Sequence, residues 1–78
     1  MKATVLVRLK QEVLDPQGDA VRRALGRLGF EGVLSVRVGK LIEIDIADAD
    51  ADGLAQRLAK MADELLANPV TEDFEVRA

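Results

Sequence analysis

The stretch LSVRVGKLIEIDI, residues 34–46, decides how this chain folds. Its apolar residues Leu34, Val36, Val38, Ile42, Ile44 and Ile46 stand at even positions, with Lys40 the one polar interruption. Ser35, Arg37, Glu43 and Asp45 stand at odd ones. Period two in β-branched residues marks a strand with one buried face. Gly39-Lys40 invites a two-residue hairpin, which would set residue 38 opposite 41 and 36 opposite 43. Val36 would then share a face with Glu43, so the pattern rejects that turn. Two arrangements stay open: one long strand that bends at Gly39, or a hairpin with an odd-length loop pairing 36 with 42 and 34 with 44. Gly39 serves either, as a bulge or as a residue with positive φ.

Upstream, Val5, Val7 and Leu9 alternate with Thr4, Leu6, Arg8 and Lys10, which predicts a half-buried strand over about residues 2–10. Leu6 is the apolar exception on the polar face, a place for a subunit contact. Asp15 is a good N-cap and Pro16 suits the first helical position, so a helix begins there. Val21, Ala24, Leu25 and Leu28 form its apolar stripe, and Gly29 closes it. Downstream, Leu54, Leu58, Met61 and Leu65 form a second stripe, predicting a helix over about 51–67. Asn68-Pro69 stops it, with Asn68 tolerating a left-handed conformation. A last short strand puts Phe74 and Val76 on one face and Glu75 and Arg77 on the other.

The order is β-α-β-(β)-α-β in one domain spanning residues 1–78. Two helices with single apolar stripes and a small antiparallel sheet make an α+β, open-faced two-layer sandwich of ferredoxin-like type. Both helices are expected on one sheet face, leaving the other uncovered.

Composition excludes much chemistry. There is no Cys and no His, which removes thiol nucleophiles, redox motifs, imidazole bases and ordinary zinc sites. The hydroxyls of Thr4, Ser35 and Thr71 have no activating base nearby in sequence. A chain of 78 residues buries a thin core, and without disulfides or a metal, self-association is the remaining support. The N-terminus is too charged and its apolar run too short for a signal peptide or membrane span, so the expected location is cytoplasmic.

Several local patterns imitate functional motifs. Asp48-Ala49-Asp50-Ala51-Asp52-Gly53 copies the start of a calcium loop, but the twelfth position is Ala59 instead of a bidentate Glu. Carboxylates leading into a helix N-terminus account for it. Gly39-Lys40 lacks the leading glycine and the hydroxyl of a phosphate loop. Arg22, Arg23 and Arg27 form a basic cluster, yet the net charge is −3 and the only aromatics are two Phe, which speaks against RNA binding. Glu43 and Asp45 share a strand face, and nothing in the sequence separates their environments as acid/base work requires.

Three segments in fixed order carry a further signal: Val13-Leu14-Asp15-Pro16-Gln17-Gly18, Val36-Arg37-Val38-Gly39-Lys40 with Ile42-Glu43-Ile44, and Leu65-Leu66-Ala67-Asn68-Pro69-Val70. Together with the ending Glu72-Asp73-Phe74-Glu75, they resemble the PurS family, the small subunit of phosphoribosylformylglycinamidine synthase in purine biosynthesis. The resemblance implies a subunit without catalytic, cofactor-binding or metal-binding residues. It implies self-association as a dimer or tetramer, and partners in a glutaminase subunit and a large synthetase subunit. ATP, Mg and glutamine are then used by those partners, and the small subunit helps ammonia pass between them. Neither nucleic acid nor membrane is implied. Docking would fall on Asp15, Pro16, Gln17 and Gly18, on Arg37, Gly39 and Lys40, and on Asn68 and Pro69. Local folding explains Asp15, Pro16 and Asn68 on its own, whereas Arg37 and Lys40 have no evident use in folding. The competing reading is a free-standing ferredoxin-like domain that binds a small ligand at the loop between the first strand and the first helix, which carries Gln11, Glu12, Asp15 and Gln17.

Overall fold

A computed structural model describes residues 1–77. Strand β1 spans Lys2–Leu9, helix α1 Pro16–Arg27 and strand β2 Gly39–Asp45. A 3-10 turn at Asp48–Asp50 leads to helix α2, Leu54–Met61, which runs on as a π-helical turn over Ala62–Leu66. Strand β3, Glu72–Arg77, ends the fold. The three strands form one antiparallel sheet in the order β2-β1-β3. The α+β, ferredoxin-like reading therefore holds.

Alternation fixes the register. Val5 lies opposite Ile42 on one side and Val76 on the other, and Ala3 and Val7 extend the same face. That face, with Ile46, meets Leu54, Leu58 and Ala62 of the α2 region in the core, and Val5 and Leu58 are fully buried. Leu6 and Leu41 oppose each other on the outer face, with Thr4 beside Glu43 and Lys2 beside Asp45.

At Gly39 the chain takes neither arrangement: it forms no hairpin, and the strand begins at Gly39 instead of running through it. Ile42 pairs with Val5 and not with Val36. Residues 34–38 leave the sheet and run past the N-terminus of α1 outside any ladder. Gly39 has no positive φ; among the described residues that conformation is confined to Gly29, Gly32 and Gly53. Gly39 is needed for close approach, since a Cβ there would lie 2.5 Å from the Val7 carbonyl oxygen.

Other boundaries shift for local reasons. Helix α2 starts at Leu54 and not near 51, because Gly53 sits in the left-handed region at φ 64° and ends the preceding turn. Its C-terminal end turns extended at Ala67, so Asn68 needs no left-handed conformation. The Asn68 side chain instead accepts from the Val70 N–H at 3.0 Å, an Asx turn that reverses the chain toward β3. Among the described residues, the α2 region is the helical segment that lies over its own sheet. No α1 side chain belongs to the core or packs against it.

Candidate docking site at the strand bend

The segments singled out in the sequence converge at one end of the sheet. The Asp15 carboxylate caps α1 by accepting from the Gly18 N–H at 2.9 Å. Its other oxygen accepts from the Val38 N–H at 2.7 Å, tying the helix start to the bend. These two backbone bonds, Gly18 foremost, hold the Asp15 carboxyl below the usual carboxylate range, with the Arg37 charge adding to them. Gly18 is buried at this crossing, and a Cβ there would run into the Val36 carbonyl oxygen.

Arg37 has a structural use, contrary to expectation. Its Nη2 donates to the carbonyl oxygens of Lys10 at 2.9 Å and Val13 at 2.8 Å, bracing the β1–α1 loop. Lys40 also has a partner. It stands opposite Val7 in β2 and its ammonium lies 3.8 Å from Glu72 Oε2, reaching across the central strand. Glu72 Oε1 in turn accepts from the Asn68 N–H at 2.7 Å. One carboxylate thus joins the Asn68 turn to the bend.

Asp15, Gln17, Gly39, Lys40 and Glu72 line a shallow cleft at this end. Pro16 and Arg37 face a second groove, between α1 and the 34–36 segment, with Leu14 and Leu34. Pro69 sits exposed in the Asn68 turn. Glu72 is the residue that sequence reasoning misses; only its separation of four from Asn68 hints at the link.

Asp48 lies 3.3 Å from the Met1 ammonium, and among the described residues no three carboxylates converge as a metal site. Arg22 and Arg23 both pair with Asp19, at 2.8 and 3.5 Å, which keeps the Asp19 carboxyl below its ordinary range. The buried side-chain polar atoms among the described residues are all hydrogen-bonded.

In sequence and fold the chain matches known proteins. The family model PurS, described as phosphoribosylformylglycinamidine (FGAM) synthase, matches residues 2–78. The phosphoribosylformylglycinamidine synthase subunit PurS of Mycobacterium leprae is 48% identical over 75 residues, covering 96% of this chain and 91% of that protein. The crystal structure of Methanocaldococcus jannaschii PurS, a subunit of formylglycinamide ribonucleotide amidotransferase, superposes with a TM-score of 0.84 at 39% identity, covering 97% of this chain and 92% of that one. A chain in the structure of PurLQS from Thermotoga maritima gives a TM-score of 0.71 at 28% identity, with 97% and 93% covered. A match over nearly the whole length, in sequence and in fold, places this chain in the PurS family of FGAM synthase subunits.

Proposed function

We propose that the chain is the non-catalytic small subunit that bridges the glutaminase and the ATP-dependent synthetase subunits of FGAM synthase in the cytoplasm. It associates with itself, and it holds the two enzymes so that ammonia passes from one to the other. ATP, magnesium and glutamine stay with the partners. Ammonia released into water is protonated and loses its lone pair, so a rigid bridge that excludes water preserves the nucleophile. Holding two subunits together also raises the local concentration of one product at the next site.

The observation that carries this reading is the convergence of the 15–18, 37–40 and 68–69 segments on one rigid, exposed end of the sheet. The small-ligand reading lacks such support. The Asp15 carboxylate is already held by backbone N–H groups, and the Lys10 and Val13 carbonyls are already taken by Arg37. The test is glutamine-driven amidine formation by the partner subunits with and without this chain, beside an ammonia-driven control. The bridge requires that glutamine-driven turnover depend on the chain while ammonia-driven turnover does not. Equal turnover in its absence overturns the reading.

A further inference from the structure

The cations around Gly39 are underused. The Lys40 ammonium lies 3.8 Å from Glu72 and the Arg8 guanidinium 3.7 Å from Glu75, both beyond hydrogen-bond reach. Those carboxylates make their shorter contacts elsewhere. Glu72 accepts from the Asn68 N–H at 2.7 Å, and Glu75 accepts from Arg77 Nε at 3.3 Å. Arg37 gives Nη2 to the carbonyl oxygens of Lys10 and Val13, which carry no net charge, and this brace leaves Nε and Nη1 out. Asp15, which also feels the Arg37 charge, has its oxygens taken by the Gly18 and Val38 N–H groups.

These three cations line one hollow of about 380 Å³ beside Gly39, and Leu6 and Leu41 complete its wall. Leu6 and Leu41 oppose each other across β1 and β2, and Leu41 is 60% exposed. Arg8, two residues on from Leu6, shares their face of the sheet. A chain with a net charge of −3 thus gathers spare cationic donors and a small apolar wall at one place.

Charge complementarity names the occupant. Free guanidinium and ammonium N–H groups take carboxylates, and arginine does so with a planar fork. A small inorganic anion would use the cations and leave the leucine pair bare. A protein segment with acidic and apolar side chains uses both, and arginine is enriched at such contacts.

We infer that this hollow receives an acidic segment of a partner subunit, with its carboxylates on Arg8, Arg37 and Lys40 and an apolar side chain on Leu6 and Leu41. This rests on the bridging role proposed above and adds the chemistry of the contact.

The test treats the reconstituted complex of this chain, the glutaminase and the synthetase with a carbodiimide. The reagent condenses a lysine amine with a touching carboxylate to an amide and takes up the water as a urea. Mass spectrometry of the peptides is expected to find Lys40 joined to an Asp or Glu of a partner subunit. Lys40 joined only to Glu72, or to another copy of this chain, overturns the proposal. As a second arm, Arg8→Gln removes one charge without placing a carboxylate beside Glu75. It is expected to keep the wild-type melting temperature and to weaken binding to the partner subunits severalfold, by a factor that shrinks as salt is raised. Lys60→Gln, the same charge change on exposed α2 surface, is expected to bind as wild type does. Equal binding by Arg8→Gln and wild type overturns the acidic contact and leaves the bridge standing, provided that glutamine-driven turnover still depends on the chain. Turnover that ignores the chain overturns both.

Discussion

The carboxylate of Asp15 reaches the backbone N–H of Val38 at 2.7 Å across 23 residues of sequence while capping its own helix. Because hydrogen bonds from Gly18 and Val38 lower its pKa in the folded chain, Asp15 stabilises the fold above the carboxyl's ordinary range. That contribution is lost as the pH falls through the lowered folded value. Asp15→Asn should therefore melt below wild type at neutral pH, and the gap should close below about pH 4. Urea unfolding at a series of pH values measures this. Asp19, also lowered, is common to both proteins and cancels. A gap that does not vary with pH would contradict the assignment.

Two glycines of α1 should respond oppositely to alanine. A Cβ at Gly18 meets the Val36 carbonyl oxygen, so Gly18→Ala should destabilise by about 1–3 kcal/mol through forced backbone movement. At Gly26 a Cβ meets nothing within 4 Å, and Gly26→Ala should stabilise the helix by about 0.5–1 kcal/mol. Thermal denaturation of the pair provides the comparison. Equal effects would mean that the crossing at Val36 is not tight.

The strands and the start of α1 are legible in the sequence because their information is local: period two at Val5 and Ile42, an N-cap followed by proline at Asp15-Pro16. The choice at Gly39 is not local. A bent strand and an odd-loop hairpin both keep Val36 and Ile42 on one face, and periodicity cannot separate them. The Asp15–Val38 and Gly18–Val36 contacts draw residues 36–38 to the start of α1 and out of any strand, and both join residues far apart in sequence. The same distance conceals the uses of Arg37 and Lys40, whose partners lie in the loop before α1 and at the start of β3. For the candidate site, the three segments are legible as recurring pieces, but Glu72, which links two of them, is not.

Lys40 and Arg37 should separate docking from folding. The Lys40–Glu72 pair is exposed on the lysine side, and such pairs contribute about 0–1 kcal/mol, so Lys40→Ala should leave the melting temperature nearly unchanged. In the reconstituted complex it should lower glutamine-driven turnover severalfold and spare ammonia-driven turnover. Arg37→Ala removes two bonds to backbone carbonyls and should lower the melting temperature as well. Were Lys40→Ala fully active with glutamine, the cleft at the bend would not be a docking surface.

The calcium-loop imitation at Asp48–Gly53 should bind no calcium. A true loop closes with a bidentate carboxylate at its twelfth position, and here Ala59 occupies it, inside α2. Calcium at millimolar concentration should therefore leave the melting temperature where magnesium leaves it, since a specific ligand of the folded state would raise it. A calcium-specific rise that Asp50→Asn abolishes would overturn this.

The core and the exposed stripe of α1 should differ in how their loss depends on protein concentration. Leu58 is fully buried within its own chain, so Leu58→Ala should cost about 2–5 kcal/mol at every concentration. Leu28 is 74% exposed in the single chain, and truncating it should cost that chain little. If a second copy covers it, assembly and folding are linked by mass action, and the wild-type melting temperature rises with concentration. Leu28→Ala should flatten that rise, whereas Leu58→Ala should lower the whole curve without flattening it. Melting curves over a hundredfold concentration range distinguish the two. Parallel curves for wild type and Leu28→Ala would place Leu28 outside any interface between copies.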